Sequence, residues 1–280
     1  MTDLGKARRL SRVFDHRTKR TVIVPLDDVL LSGPEGGLRD TTKKVREVVA
    51  GGANAIIGFQ GLFERNAEEL LGIGGILNLT ASTIRSRHTR KVLVSSVEEA
   101  VKLGMDCAAV HVNISSEYES EMLKNLGEVS RECERMGMPL MGIMYPRTER
   151  DGVDYNYWDL LESDPEKYTE LVRHAARVGV DLGADMIKTH FTGRADLFHT
   201  VIESCSGVPI VVSGGPKVPL YEMLNKAYQA IKAGASGISF GRNIFHRDDS
   251  SKYIKLLDKI VHDGYDVEEA LKLFSEFSLE

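Results

Sequence analysis

Residues 182–190 read Leu-Gly-Ala-Asp-Met-Ile-Lys-Thr-His, in which a glycine is followed at once by a short apolar run. A glycine just beyond a helix adopts the left-handed conformation that lets the chain turn into the next strand. The same pattern of helix, glycine and strand recurs at Ala50-Gly51-Gly52-Ala53, Leu103-Gly104-Met105 and Ala233-Gly234-Ala235. The stretch therefore predicts a repeated βα unit.

Eight short apolar runs alternate with longer segments of helical periodicity along the whole chain. Strands that are buried on both faces read as continuous apolar runs, and parallel strands need helical crossovers between them. Eight such units predict an α/β fold, a closed TIM (β/α)8 barrel in which residues 1–280 form a single domain. The predicted strands are Thr21–Leu26, Ala53–Gly58, Gly75–Leu79, Cys107–Val112, Leu140–Tyr145, Met186–Thr189, Pro209–Ser213 and Gly237–Phe240.

Composition narrows the class of protein. Of the 280 residues, 28% are charged, and the net charge is −5, so the chain offers no basic excess to hold nucleic acid. No stretch approaches the ~18 apolar residues that a membrane-spanning helix needs. Cys107, Cys133 and Cys205 are far apart, without the spacing of a disulfide framework or a zinc site, which favours a reducing cytoplasm.

Two segments lie outside the βα repeat. Residues 1–20 carry apolar residues at helical spacing and a basic run, which predicts an amphipathic helical extension across the base of the barrel with the basic run as its solvated face. Residues 146–168 form a long connection after the fifth strand and hold the only tryptophan, Trp158. Loops of this length are lids or disordered surface, and Trp158 favours a lid or a subunit contact.

Polar residues follow the predicted strands, and in a barrel the carboxyl ends of all strands meet on one face. Among them, Lys188 ends the apolar sixth run. An amine held partly out of water is available as a nucleophile and can form a Schiff base with a carbonyl. The alternative is a lysine whose amine extends past the strand end into solvent.

Other strand ends supply partners for this amine. Asp27 is either an acid/base carboxylate or a helix cap, and Asp28 beside it is not separated from it by spacing. Tyr145 is either a proton-transferring phenol or an aromatic residue on the barrel rim. His111 and His190 have no third ligand at a convincing spacing, so we expect no metal, and we assign His111 and Asn113 to substrate hydroxyls.

Glycine turns follow the last two strands. Glycines let backbone N–H groups approach an anion closely, and barrels commonly bind phosphate after strands seven and eight, although either turn alone is equally explained as a tight turn. Charged side chains at both turns favour a phosphate monoester site. The candidate residues are Ser213, Gly214, Gly215, Lys217, Gly241 and Arg242.

Several of these motifs, in this order, resemble the family of archaeal-type class I aldolases, which includes barrel fructose-bisphosphate aldolases and 2-amino-3,7-dideoxy-D-threo-hept-6-ulosonate synthases. The resemblance covers nearly the whole chain. It implies Lys188 as the Schiff-base lysine, Tyr145 as proton donor or acceptor and Asp27 as the acid/base carboxylate, with no cofactor. The motifs are Val24-Pro25-Leu26-Asp27, Val110-His111-Val112-Asn113, Met144-Tyr145-Pro146-Arg147, Ile187-Lys188-Thr189, Gly214-Gly215-Pro216-Lys217 and Gly241-Arg242-Asn243.

The resemblance is greatest to the heptulosonate synthase branch. The fructose-bisphosphate branch carries a tryptophan two residues before the tyrosine, where this chain has Ile143. The branch implies transfer of a ketose-derived unit to L-aspartate 4-semialdehyde in aromatic amino acid biosynthesis, with Arg147 among the substrate-binding residues, and family members are commonly homo-oligomers. The alternatives are fructose-bisphosphate cleavage, the joining of dihydroxyacetone phosphate to aspartate semialdehyde, and a non-catalytic phosphosugar-binding barrel.

Two departures from the family pattern lie near the expected site. The family reads Asp-His-Gly after the first strand, and this chain reads Asp27-Asp28-Val29; where many members have His-Lys-Gly after the second strand, this chain has Phe59-Gln60-Gly61. Losing an imidazole and a lysine while gaining a carboxylate predicts a more acidic pocket, and with it a different donor or acceptor substrate or a weaker activity.

Overall fold

The eight apolar runs form eight parallel strands in a computed structural model that describes residues 3–34 and 36–277. The strands are β1 Thr21–Pro25, β2 Ala55–Gly58, β3 Gly74–Asn78, β4 Cys107–Ile114, β5 Leu140–Pro146, β6 Met186–Thr189, β7 Ile210–Ser213 and β8 Gly237–Ser239. The strand ends lie within two residues of those predicted. The closed barrel has the order β1-β8-β7-β6-β5-β4-β3-β2, as expected for a TIM barrel.

Helices surround the barrel and connect its strands. The glycines expected to end four of them, Gly52, Gly104, Gly183 and Gly234, all have positive φ, which confirms the repeated turn into the next strand. The α-helices are Leu4–Val13, Asp28–Ser32, Thr41–Ala50, Gln60–Arg65, Val97–Lys102, Glu119–Met136, Leu160–Ser163, Pro165–Asp181, Ala195–Ser204, Leu220–Lys232, Arg242–Phe245, Ser250–Asp258 and Val267–Phe277, with a 3-10 turn at Gly36–Leu38 and a π-turn at Lys259–Asp263. No helix among the described residues is long and apolar enough to cross a membrane.

Strand alternation divides the buried apolar residues into two sets. One set fills the barrel interior and includes Ile23, Ile57, Ile76, Ala109, Met141, Met186 and Val211. The other set lies between the strands and the helices and contains Val22, Val24 and Val212 among many more. Because Lys188 lies two residues after Met186 on β6, its side chain lies on the interior face of the barrel.

One strand pair is longer than its neighbours. β4 and β5 are in register over seven residue pairs, from Ala108 opposite Leu140 to Ile114 opposite Pro146, whereas the other barrel pairs align over three or four. An antiparallel hairpin, Thr148–Arg150 with Val153–Tyr155, continues directly from β5. This side of the barrel therefore extends further at its carboxyl end than the rest.

The N-terminal helix Leu4–Val13 packs across the base of the barrel, with Val13 buried against the interior cluster. Its basic residues are not simply solvated, contrary to expectation. Lys6 Nζ lies 2.8 Å from Glu134 and 3.1 Å from Asp185, and Arg12 Nε lies 2.5 Å from Asp106. Because Asp106 and Asp185 immediately precede β4 and β6, these ion pairs attach the helix to the amino ends of the strands.

Candidate active site

A cavity of about 310 Å³ opens at the carboxyl end of the barrel. It is lined by all of the site residues expected from the sequence except Asn113 and Lys217. Its remaining walls include residues of the connection 146–168, where the sequence favoured a lid or a subunit contact, and residues after β3, which the sequence did not assign to a site. The lining includes Asp27, Asp28, His88, His111, Ile143, Tyr145, Arg147, Asp154, Asn156, Trp158, Lys188, Ser213, Gly214, Gly215, Gly241 and Arg242.

Lys188 lies at the top of the barrel interior, with β5 and β7 on either side. It is opposite Ile143 on β5 and Val211 on β7, and only 6% of its surface is exposed. This burial excludes the alternative of a lysine that extends into bulk solvent. No described carboxylate lies within 4.0 Å of its amine, which is therefore not tied up in an ion pair within the described chain.

The Tyr145 ring is held between two imidazoles. It stacks on His190, with ring centroids 4.2 Å apart, and meets His111 edge to face at 5.0 Å. Burial, reinforced by nearby cationic side chains, lowers the pKa of both histidines well below the usual range, so both are neutral at pH 7. The phenol therefore faces the cavity in a fixed orientation with no adjacent imidazolium charge.

Hydrogen bonds hold both imidazoles in place, and for His111 they also fix which nitrogen carries the proton. Nε2 of His111 donates to Oδ1 of Asn113 at 2.9 Å, because the amide of Asn113 donates at 2.8 Å to the carbonyl of Thr89. The hydroxyl of Tyr168 lies 3.0 Å from Nδ1 of His190, and the Trp158 ring lies 5.9 Å from the same imidazole. Asn113 is thus fully buried behind His111, where it orients the ring and does not reach a substrate hydroxyl.

Asp27 is positioned by a residue that the sequence did not indicate. The amide of Asn78, at the end of β3, donates a hydrogen bond of 2.8 Å to Oδ2 of Asp27. Asp27 precedes the helix Asp28–Ser32 but its side chain makes no cap hydrogen bond, so the interpretation as a cap is wrong. Both Asp27 and Asp28 line the cavity.

The turns after β7 and β8 form one end of the cavity. Gly215 has a φ of +74°, a conformation that glycine adopts without strain, and Gly241 immediately precedes the short helix Arg242–Phe245. Gly214, Gly215 and Gly241 thus bring backbone close to the cavity, with Arg242 beside them.

The lysine whose amine contacts these turns is not the one that the sequence suggested. Lys217 is exposed and donates to the carbonyl of His246 at 2.9 Å, outside the cavity. Lys226, on the helix Leu220–Lys232, donates to the carbonyl of Gly214 at 3.0 Å and lines an adjoining cavity of about 240 Å³ with Ser213 and Gly215. No sequence signal distinguishes Lys226 from the other charged residues of its helix.

The two departures from the family pattern differ in position. Asp28 lines the cavity, whereas the amide of Gln60 donates at 2.8 Å to Glu64 on its own helix, and Gln60 does not line the cavity. The extra carboxylate therefore affects the site directly, and the change at Gln60 does not.

Residues after β3 and β5 complete the cavity wall. Residues 146–168 form the 148–155 hairpin and the short helix Leu160–Ser163, and they contribute Asp154, Asn156 and Trp158 to the lining. His88, in the segment that follows β3, faces Asp154, with 3.6 Å between Nε2 and the carboxylate.

A second buried lysine lies behind His88. Lys91 is 2% exposed, and its amine donates to the hydroxyl of Ser82 at 2.6 Å and lies 3.3 Å from Nδ1 of His88. Burial lowers the pKa of Lys91 to about 7, with Arg147 adding to the effect. Lys91 does not line the cavity, although its low pKa gives it the chemistry of a nucleophilic amine.

The fold, together with its likeness to a Schiff-base-forming fructose-1,6-bisphosphate aldolase, defines the class of protein, a lysine-dependent aldolase barrel. The chain belongs to the DeoC/LacD family of aldolases, whose family model matches residues 21–247. This agrees with the resemblance seen in the sequence.

Relatives with assigned names cover almost the whole chain. It is 37% identical over 272 residues to 2-amino-3,7-dideoxy-D-threo-hept-6-ulosonate synthase 1 of Archaeoglobus fulgidus, covering 96% of this chain and 95% of the relative. It is 32% identical over 263 residues to 2-amino-4,5-dihydroxy-6-oxo-7-(phosphonooxy)heptanoate synthase of Streptomyces griseus, covering 93% and 91%. An archaeal fructose-1,6-bisphosphate aldolase, solved with its catalytic lysine bound to the carbinolamine of the substrate, superposes with a TM-score of 0.80 at 26% identity over 91% of this chain and 99% of that one.

Proposed function

We propose that this chain is a class I aldolase or transaldolase that forms a Schiff base between Lys188 and a ketose phosphate, and that its acceptor is L-aspartate 4-semialdehyde. The observation that carries the proposal is the buried amine of Lys188 beside Tyr145, with Asp27 and the glycine turns in the same cavity. The names of the relatives support the acceptor, because both products carry a 2-amino group and a terminal carboxylate.

The chemistry follows from the positions of these groups. The amine of Lys188 attacks the ketone carbon, and loss of water from the carbinolamine gives an iminium. The iminium accepts the electron pair released when the adjacent carbon–carbon bond breaks or a proton leaves that carbon, giving an enamine. The enamine carbon then attacks the acceptor aldehyde, whose oxygen takes up a proton, and water releases the product from the lysine. Tyr145 and Asp27 carry the protons.

The phosphate of the ketose binds at the turns after β7 and β8 in this proposal. The backbone of Ser213–Gly215 and Gly241 approaches the anion closely, and Arg242 supplies charge. Backbone N–H groups and a guanidinium are the donors that phosphate oxygens accept best. Lys226 adds a further positive charge behind Gly214.

Borohydride trapping tests the proposal directly. The protein is incubated with dihydroxyacetone phosphate or fructose 1,6-bisphosphate, reduced, and mapped by peptide mass spectrometry. We expect one adduct, on Lys188. An adduct on Lys91, the other buried lysine of the site region, would refute the assignment, and so would undiminished turnover in a Lys188→Ala variant. That variant should keep its affinity for phosphate, since the turns are intact.

Product analysis separates the remaining candidates. Fructose-1,6-bisphosphate cleavage is the second candidate, favoured by the likeness to the solved archaeal aldolase. Supplying each ketose phosphate with L-aspartate 4-semialdehyde or with glyceraldehyde 3-phosphate identifies the preferred acceptor. A non-catalytic phosphosugar-binding barrel would bind phosphate without forming an adduct with any donor.

A further inference from the structure

Arg147 is a buried cation whose charge is only partly satisfied. It is 9% exposed and lines the cavity directly after β5. Its Nε donates to Oδ1 of Asn156 at 2.7 Å, its guanidinium lies 5.4 Å from the centre of the Tyr145 ring, and its Nη1 is buried with no acceptor. Leaving a buried charged donor unsatisfied is costly, so such a group is expected where a ligand completes it.

Asp154, on the same side of the cavity, carries the opposite charge and also lacks a charged partner in the part of the chain that the structure describes. Its one ion-pair contact within 4.0 Å among the described residues is Nε2 of His88, 3.6 Å away. Burial and the nearby charge of Lys91 lower the pKa of His88 to about 2, so the ring is neutral at pH 7 and supplies no positive charge. Asp154 is therefore a half-buried carboxylate that lacks a cationic partner within this distance.

These two charges are held apart within one cavity. Arg147 and Lys91 act on the carboxylate of Asp154 through space, against the burial that raises its pKa, yet neither lies within 4.0 Å of it. A guanidinium and a carboxylate that are near each other but unpaired complement a ligand that carries an anion and a cation close together. An α-amino acid end group is such a ligand.

The order of the strands gives this pair a position relative to the reaction. The phosphate turns follow β7 and β8, Lys188 is on β6, and Arg147 with the 148–155 hairpin follows β5. A donor bound by its phosphate at one end of this row presents its carbonyl to Lys188 in the middle. The acceptor then occupies the end of the row that Arg147 and Asp154 line.

We propose that Arg147 binds the α-carboxylate and Asp154 binds the α-ammonium group of the acceptor aldehyde, which makes them the specificity-determining residues for an amino acid substrate. The inference rests on the proposed function, because it assigns the acceptor subsite of that reaction.

The ammonium half is tested with Asp154→Asn and two acceptors. L-aspartate 4-semialdehyde and succinic semialdehyde share the carboxylate and the aldehyde and differ only in the amino group. We expect kcat/KM for the amino acid acceptor to fall roughly 10- to 100-fold in Asp154→Asn, the range for loss of a charged hydrogen-bonded contact, and kcat/KM for succinic semialdehyde to change less than about threefold. Equal loss with both acceptors, or no loss with either, would overturn the role of Asp154.

Asp151→Asn is the matched control. Asp151 is an exposed carboxylate in the turn of the same hairpin and has a φ of +55°, which asparagine also tolerates. The same change in charge at this position should leave both acceptors at the wild-type rate. If Asp151→Asn reproduces the acceptor-dependent loss, the effect comes from the general charge of the hairpin and the proposal is refuted.

The carboxylate half is tested with Arg147→Lys. Both acceptors carry a carboxylate, so we expect both to lose roughly 10-fold or more in kcat/KM, mainly through KM, while butanal, which lacks both charged groups, is unaffected. A comparable loss with butanal would show that Arg147 acts on the reaction and not on the carboxylate. Failure of the proposed function itself looks different, because the wild-type protein would then form no borohydride adduct on Lys188 with any donor.

Discussion

The buried amine of Lys91 makes a quantitative prediction about stability. Its pKa is about 7 in the folded protein, against 10.5 for an ordinary lysine. Between these values the unfolded chain holds a proton that the folded chain has released, so the free energy of unfolding rises with pH at about 1.4 kcal/mol per pH unit. The full difference of about 3.5 units corresponds to about 5 kcal/mol. Lys91 therefore destabilises the fold most below pH 7, and the penalty is relieved as pH rises towards 10.5.

The perturbation that isolates this effect is Lys91→Met, which keeps the aliphatic length and removes the titrating group. We expect the wild-type protein to gain about 2 to 3 kcal/mol relative to the variant between pH 7.5 and 9.5, since other titrating groups largely cancel in the difference. Equilibrium urea denaturation at several pH values measures it, with coincident unfolding and refolding curves as the test of reversibility. A difference that does not change with pH, or that changes with the opposite sign, would refute the reasoning.

Further predictions concern the site. Asn78→Ala removes the hydrogen bond to Asp27, and steady-state kinetics should show kcat lower by about tenfold with KM little changed, as expected for loss of one bond to a charged group; an unchanged kcat would contradict that role. Lys226→Gln should weaken inhibition by inorganic phosphate several-fold, whereas Lys217→Gln, at an exposed position outside the cavity, should not. A larger effect of Lys217→Gln would instead support Lys217, the residue that the sequence suggested. Activity should survive prolonged dialysis against a chelator, because imine chemistry needs no metal, and loss that is reversed by added metal would contradict the assignment.

The sequence predicts the barrel well because the evidence for it is local and repeated. Each buried parallel strand needs a continuous apolar run, and each helix exit needs a residue that tolerates positive φ, so both leave a mark in the chain. Lys188 is conspicuous for the same reason, since a charged residue ends an otherwise apolar strand. The turns after β7 and β8 are recognisable because a close approach of backbone requires glycine.

The parts of the site that the sequence does not predict depend on which way a side chain points and on which remote segments meet in the fold, and neither leaves a local pattern in the chain. Asn113 lies two residues after His111 on β4, so both side chains are on the same face of the strand. Asn113 is nevertheless buried beneath the segment that carries Thr89, where it holds the His111 imidazole in place. Lys226 reaches the turn from the side of a helix, where lysines are ordinary. Asp154 belongs to an irregular connection whose hairpin was not predicted, so nothing in its neighbours shows that it faces Arg147 and His88.

The extended β4–β5 side of the barrel has a consequence for how substrate preference differs between related enzymes. The amine of Lys188 and the glycine turns belong to the ends of β6, β7 and β8. Asp154, Asn156 and Trp158 follow β5 and form a separate wall along one edge of the cavity mouth. This wall contacts Tyr145 by two routes. Asn156 accepts a hydrogen bond from Nε of Arg147, whose guanidinium lies 5.4 Å from the centre of the Tyr145 ring, and the Trp158 ring lies 5.9 Å from His190, which stacks on Tyr145. Under the proposed acceptor subsite, we therefore expect that exchanging residues 148–158 between relatives would change the preferred aldehyde, while the eight strands and Lys188 stay unchanged.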